Sequence, residues 1–548
     1  MPERAGKLLN PRFIRRRQLA KQMRLTVPRG FPAAGSAFGA IGSMLFNSVE
    51  FLFLFLPLAL IFHFCAARFD MRTAVVVTTL TSLFFYGWWK PGFVALPLLS
   101  IGFNFCLARL IADSDKRTAR LTLILGIVVN LAVLGYFKYS DFLLSIWQGR
   151  SPISPDVPLA LSFTTFVQIA FLVETYRRKE APPFATYALF VTFFPHLIAG
   201  PIVRWHELGH QLTDKGRYKP DWDNIARGLT ILCLGLAKKV LIADRLAMFV
   251  TPVFDAAAQG TPVTAAAGWG ASVAYSLQLY FDFSGYSDMA VGLGLLFNFR
   301  LPINFAAPFR ATNIIDLWRR WHITLSRFLR DFVYVPLGGR EHGRLRQSAS
   351  LLATMTLGGL WHGANWTFIV WGAFHGTLLT LNHLWRAWRG PQPDSAIRRA
   401  VGWLLTFGAF AVGMTLFRAN SIQAAVQILQ AMAGFGDATP SAPILVDFDF
   451  WTMEKGYITE QFARTWFGSY WSGVGTLATL VALAIALGVP DTMELLDYRE
   501  GEPHAKWRRR SSWLFWQPSP IWAASMVLLF GAIFANLGTF SEFLYYQF

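Results

Sequence analysis

Three histidine settings in this chain carry residue types able to do chemistry. The first is His206-Glu207-Leu208-Gly209-His210, which matches the zinc-protease pattern H-E-x-x-H. In that pattern two histidines one helical turn apart ligate the metal and the glutamate acts as general base. A third ligand is wanting. No His or Glu follows until His322, and the nearest carboxylates, Asp214, Asp221 and Asp223, sit in "TDKGRYKPDWDN" without ligand spacing. Gly209 falls inside the would-be helix and weakens it. The reading is no metal site, with His206 and His210 as interfacial residues on a short polar segment.

The second setting is His322, in "IIDLWRRWHITLSRFLRDFVYVPLGG" at 314–339. On a helix turning about 100° per residue, Trp318, Trp321, Leu325, Phe328, Leu329 and Phe332 share one face. Arg319, Arg320, Arg327 and Arg330 fall away from it, and His322 lies at its edge beside Trp318 and Leu329. The pattern predicts one amphipathic helix at the cytoplasmic boundary. Two readings stay open from the pattern alone: His322 lines a reaction chamber and the arginines attract an anionic cosubstrate, or the histidine is incidental to an interfacial helix. Trp321, Arg319 and Arg320 are candidate substrate-binding residues.

The third setting is His362, inside the apolar "LLATMTLGGLWHGANWTFIVWGAFHG" at 351–376. An ionisable group at membrane depth is costly and points to function. Burial disfavours the imidazolium, and a neutral imidazole is what a general base needs. Asn365, three residues on, is placed to orient the ring, and Trp361 and Trp366 to exclude water. His375 reads as a helix-packing or interfacial residue. The chain has no G-x-S-x-G elbow, no P-loop and no dinucleotide fingerprint. A membrane histidine without those aids can still serve acyl transfer, taking a hydroxyl proton while the oxygen attacks a thioester.

The elements that must position these residues are membrane helices. The chain has 548 residues, 54% hydrophobic and only 15% charged, against about 25% charged in a soluble domain. Apolar runs such as "LTLILGIVVNLAVLGYF" from Leu121 and "IWAASMVLLFGAIFANLG" from Ile521 approach the length that crosses a bilayer. The expected fold is an all-α polytopic bundle with about 11–13 membrane helices. The net charge of +18 comes largely from short loops between apolar runs, including "RRK" at 177–179, "KWRRR" at 506–510, and Arg386, Arg389, Arg398 and Arg399. That is the positive-inside pattern, which makes these loops cytoplasmic and argues against nucleic acid. The loop near 419–470 is acidic and fits the outer side. Cys65, Cys106 and Cys233 show no metal or disulfide spacing. Residues 1–43, with nine Lys/Arg and one acidic residue, read as a disordered basic extension or an upstream-start artefact. Residues 44–548 read as one integral domain.

The segments "FFPHLIAGPIVR" (193–204), "YFDFSGYSDMAVGLG" (280–294), "LWRRWHITLSRFLRDFVYVPLGG" (317–339) and "GGLWHGANWTFIVWGAFHG" (358–376), with the ending "SEFLYYQF", resemble the membrane-bound O-acyltransferase family. Within it they resemble the bacterial branch of alginate O-acetyltransferases and relatives acting on other polysaccharides, peptidoglycan or teichoic acid. The resemblance runs from about Met44 to Phe548. It implies a helical bundle around a central tunnel, His362 as catalytic base or acyl-transfer residue, and His322 as a second catalytic or positioning group. It implies no tightly bound cofactor, acetyl-CoA as cytoplasmic donor, an inner-membrane location, and a periplasmic partner protein or polysaccharide that accepts the acetyl group. It also makes the H-E-x-x-H match a local accident, since "GPIVR" belongs to the family's own motif. A transporter or polymer-export component is the competing class. No internal repeat of the kind common in transporters is found.

Overall fold

In a bilayer each backbone N–H and C=O must be satisfied within the segment, so apolar runs fold as helices. The computed structural model describes residues 44–148, 156–198, 200–341, 343–390, 393–435, 473–498, 515–537 and 544. The basic extension at 1–43, most of the acidic loop, the "KWRRR" cluster and all of the C-terminal motif except Leu544 lie outside them. Among the described residues every regular element is helical.

The first half of the chain forms α1 (Leu56–Ala67), α2 (Met71–Trp89), α3 (Ala95–Asp113), the long α4 (Lys116–Gln148), α5 (Leu161–Arg178) and α6 (Phe184–Thr192). A short amphipathic helix follows, α7 (Trp205–Leu212). Then come α8 (Trp222–Ala237), α9 (Asp244–Ala258) and the 32-residue α10 (Ala265–Leu296). The remaining helices are α11 (Ile314–Arg320), α12 (Ile323–Leu329), α13 (Gly343–His362), α14 (Trp366–Arg389), α15 (Ala396–Arg418), α16 (Ile422–Gln430), α17 (Gly473–Gly488) and α18 (Pro520–Phe534).

Among the described residues three helical stretches are long and apolar enough to cross a membrane: Pro91–Asp113, Lys116–Ile146 and Ala396–Arg418. Other apolar runs form shorter helices, such as Phe51–Ala67 and Pro520–Phe534. Others again carry polar groups turned inward. Large apolar side chains face outward instead, among them Leu121, Leu125, Val128, Val527 and Leu528. That inversion of the soluble pattern suits contact with lipid.

Helix α10 is buried along almost its whole length and forms the centre of the bundle. It packs on α8 through two pairs of glycines. A Cβ on Gly228 would lie 2.7 Å from the carbonyl oxygen of Gly292, and one on Gly235 would lie 2.6 Å from that of Gly285. Gly228 and Gly235 are seven apart, as are Gly285 and Gly292, and the pairs run in opposite senses. The repeat therefore fixes an antiparallel crossing with the backbones in contact. The "YFDFSGYSDMAVGLG" carboxylates are neutralised at the same junction. Lys239 Nζ lies 2.6 Å from Asp282 and 2.8 Å from Asp244, and Lys238 Nζ lies 2.6 Å from Asp288. Both lysines sit on a π-helical stretch, Lys238–Ala243, between α8 and α9. The backbone N–H of Leu544 donates to Asp282 Oδ2, tying the chain end to this cluster.

Candidate active site

The sequence pattern predicts an unbroken helix over 314–339, and the structure divides it. Asn313 caps α11 by accepting from Asp316 N–H at 3.0 Å, and α11 ends at Arg320. His322 then takes a left-handed backbone, φ 43° and ψ 55°, before α12 begins. The polar segment after α10 holds the break open. Ala306 N–H donates to Arg320 O, and Ile323 N–H donates to Asn304 O at 2.9 Å. A bulky residue at positive φ is strained, and such strain concentrates at functional positions. Here the break turns His322 inward, where it is 1% exposed.

Asn304 organises this end of the site. Its Oδ1 accepts from Thr324 Oγ1 at 2.6 Å and lies 3.3 Å from His322 Nδ1. Its Nδ2 donates to Ser287 Oγ on α10. Thr324 Oγ1 in turn accepts from Ile202 N–H in the "GPIVR" segment. An oxygen facing Nδ1 places the imidazole proton there and the ring lone pair on Nε2. Phe283 meets the same ring edge-on at 4.7 Å.

His362 is the last residue of α13 and is buried. Three rings enclose it: Trp361 at 5.0 Å, Trp371 at 5.2 Å and Phe417 at 5.1 Å. Trp361 also packs 6.3 Å from His322, so one indole is shared by both histidines. The hairpin that presents His362 is built from close helix contacts. Cβ atoms on Gly359 and Gly372 would strike the facing backbone at Phe368 O and Met355 O, 2.1 and 2.3 Å away, so α13 and α14 touch main chain to main chain.

A residue outside the sequence candidates completes the arrangement. Lys138, on α4, donates through Nζ to Trp361 O at 2.5 Å and to His362 O at 3.2 Å. Tyr139 OH donates to Leu360 O at 2.9 Å. A cation and a hydroxyl thus satisfy carbonyls that every helix C-terminus leaves open. The signal was present in sequence: a lysine inside the apolar run of α4 is as anomalous as a histidine in α13.

The other candidates separate. Asn365 does not orient His362 by its hydrogen bonds: its Oδ1 caps α14 by accepting from Thr367 N–H, and its Nδ2 donates to Asn420 O. Trp366 is exposed and packs on Phe142 instead of walling off the histidine. Trp321 is buried among Phe305, Phe309 and Phe410. Arg320 pairs with Asp316 at 3.0 Å, and Arg327 with Glu207 at 3.1 Å. Arg319 remains exposed and faces a pocket with other arginines. His375 is fully buried against Trp318 and Trp371. Neither of its ring nitrogens has a hydrogen-bond partner among the described residues.

The H-E-x-x-H residues have structural partners. Glu207 accepts from Arg204 N–H, closing the N-terminus of α7, and pairs with Arg327. His206 binds Glu174 through both its main-chain N–H, at 3.0 Å, and Nδ1, at 2.8 Å. The hydrogen bond to Glu174 holds the His206 pKa above the usual histidine value. His210 Nδ1 contacts His206 O. Among the described residues no three His, Cys, Asp or Glu side chains gather as a metal-binding group.

These features define a polytopic helical membrane protein whose buried polar site centres on two histidines from separate chain breaks. Residues 118–419 match the family model of MBOAT, the membrane-bound O-acyltransferase family. The chain is 40% identical over 429 residues to the peptidoglycan O-acetyltransferase of Helicobacter pylori, covering 71% of this chain and 80% of that protein. It is 35% identical over 534 residues to the probable alginate O-acetylase AlgI of Pseudomonas aeruginosa, covering 92% of this chain and 100% of that one. It is 25% identical over 346 residues to the teichoic acid D-alanyltransferase of Bacillus subtilis, covering 60% and 85%. The chain belongs to the membrane-bound O-acyltransferase family and is an acyltransferase.

Proposed function

We propose that this enzyme moves acetyl groups from cytoplasmic acetyl-CoA, across the inner membrane, for O-acetylation of an exopolysaccharide such as alginate. His362 acts as general base. Its imidazole takes the proton of an acceptor hydroxyl as that oxygen attacks the thioester carbonyl. The carbon–sulfur bond then breaks, and the proton passes from the imidazolium to the departing thiolate. His322, fixed by Asn304, positions the reacting groups or serves as a second catalytic group. Trp361, between the two rings, limits water. Donor and acceptor would meet at these residues from opposite ends of a tunnel. A periplasmic partner protein or the polymer itself would take the acetyl group. Residues 44–548 would act as one catalytic domain.

The observation that carries this reading is the pair of buried histidines on one shared indole, in a family whose relatives above are named for transfer of acetyl or D-alanyl groups. The test is ester acetyl on secreted and envelope polysaccharides, comparing wild type, a deletion strain, and His362→Ala at matched membrane expression. Loss of acetyl from one polymer in both strains supports the reading and identifies the acceptor pathway. Unchanged acetyl on every polymer in the deletion strain overturns it and favours an export role. Loss in the deletion alone moves the catalytic assignment to His322.

A further inference from the structure

His375 is a buried histidine that the transfer chemistry above leaves idle. It sits on α14, one turn past Trp371, and 0% of it is exposed. Its ring is held on three sides. Trp371 lies 5.0 Å away between ring centroids and Trp318 5.3 Å away. On the third side runs the main chain of α15, where a Cβ on Gly413 would fall 2.5 Å from His375 Nε2. Gly372 and Gly376, on either side of His375 in sequence, press α14 onto the backbone of α13, so helix and ring are both confined.

Packing alone does not account for a histidine here. A neutral imidazole carries one N–H and one lone pair, and burying them unbonded is costly. Neither nitrogen of His375 has a hydrogen-bond partner among the described residues, and the same holds for the indole N–H groups of Trp371 and Trp318. Two donors without acceptors thus stand against an acceptor without a donor. The three rings close a triangle, since Trp318 and Trp371 are themselves 5.8 Å apart. The triangle touches both halves of the site. Trp371 also meets His362 at 5.2 Å with the ring planes 89° apart, and Trp318 stands on α11, four residues before His322. Apolar contacts fix where an indole lies. A hydrogen bond to its N–H also fixes which way round it lies.

We propose that His375 is a positioning residue for acyl transfer: it accepts the indole N–H of Trp371 and so fixes that indole against His362. The inference rests on the reading of His362 as general base and adds a residue that acts through it. Full-length protein in membrane vesicles is assayed for acetyl transfer from acetyl-CoA, normalised to enzyme, with kcat and KM separated. His375→Leu removes both nitrogens, and His375→Asn and His375→Gln return an amide. Trp371→Phe removes the indole N–H, alone and combined with His375→Leu. His63→Leu, at another fully buried histidine, packed on Tyr218 and Phe297, controls for the loss of a buried ring.

His375→Leu is expected to lower kcat by about two- to tenfold, the worth of one neutral hydrogen bond, with little change in KM. One of the amide forms should recover much of the rate, and His63→Leu should keep it. In the Trp371→Phe background the leucine should cost little more. Full kcat in His375→Leu overturns the inference, as does a change in KM alone, strict additivity with Trp371→Phe, equal loss in the leucine and both amide forms, or equal loss in His63→Leu. Where His375→Leu fails to reach the membrane, Gly413→Ala drives a methyl at Nε2 instead. A kcat lowered by that alanine, but not lowered further in the Trp371→Phe background, supports the inference, and full kcat overturns it. His362→Ala is run alongside. Transfer lost there but kept in every His375 variant overturns the inference alone. Transfer kept in His362→Ala overturns the reading of the site as well.

Discussion

Lys138→Met tests whether the end of α13 must be held for His362 to work. The substitution keeps an apolar stem of similar length and removes the ammonium. Two carbonyls lose a charged donor, Trp361 O at 2.5 Å and His362 O at 3.2 Å. A hydrogen bond to a charged group contributes about 1.5–3 kcal/mol net. One such loss felt at His362 lowers the share of molecules in the working geometry by about 10- to 100-fold. Global unfolding should change far less, because Tyr139 still caps Leu360. The assay is acetyl transfer in membrane vesicles, normalised to the amount of enzyme, with kcat and KM separated. The expected result is a lower kcat with little change in KM, and recovery of much of the rate by Lys138→Arg. A Lys138→Met enzyme with full kcat refutes the reasoning. Equal loss in the arginine form assigns the effect to packing and removes the carbonyl contacts as its cause.

Lys239→Met leaves Asp282 and Asp244 without their cation, and loss of one partner of a buried pair costs about 3–5 kcal/mol. Thermal unfolding of detergent-purified protein should show that loss, and Asp282→Asn in the same chain should recover part of it. Strictly additive effects would deny the coupling. Gly235→Ala drives a methyl toward Gly285 O and should destabilise by about 1–3 kcal/mol. Gly408→Ala, with open space around it, should be neutral or mildly stabilising in the same melt. His206 has a raised pKa because Glu174 favours its cation. The stability from this pair is complete below the ordinary histidine value near 6.5 and is lost as pH rises through the raised one. The Tm difference between wild type and His206→Ala should therefore shrink with rising pH, by a modest amount because the ring is partly exposed. A difference independent of pH would show that the pair does not titrate in this way.

How much of this was legible in sequence depended on whether a signal was local. Apolar runs announced the helical membrane fold, because bilayer crossing leaves a long one-dimensional mark. His362 stood out because a titratable group inside such a run is costly. Lys138 met the same criterion and was missed, since its partners, the carbonyls of Trp361 and His362, lie more than two hundred residues away. The break at His322 was also hidden. The 314–339 segment keeps helical periodicity through it, and the features that open it, Asn304 and Ala306, belong to a separate stretch. Asn365 failed in the opposite sense. It is near His362 in sequence, but an Asn one residue before a helix is most economically read as that helix's cap, and capping is what it does.

The two histidines also share a structural logic that bears on catalysis. Neither sits mid-helix: His322 occupies a left-handed break, and His362 the last position of a helix. In mid-helix the backbone groups bond within the turn, and side-chain direction follows from helical phase alone. At an end, the carbonyls and N–H groups need outside partners. Those partners come from elsewhere in the bundle here: Lys138 and Tyr139 from α4 at His362, and Asn304, from the segment after α10 and bonded to Ser287 of that helix, at His322. Each ring is thereby referenced to a different part of the bundle, while Trp361 touches both. A shift of α4 relative to α10 would thus alter the spacing of the two imidazoles. Substitutions that shift α10, such as those at the glycines where α8 crosses it, should for that reason reduce transfer before they unfold the protein.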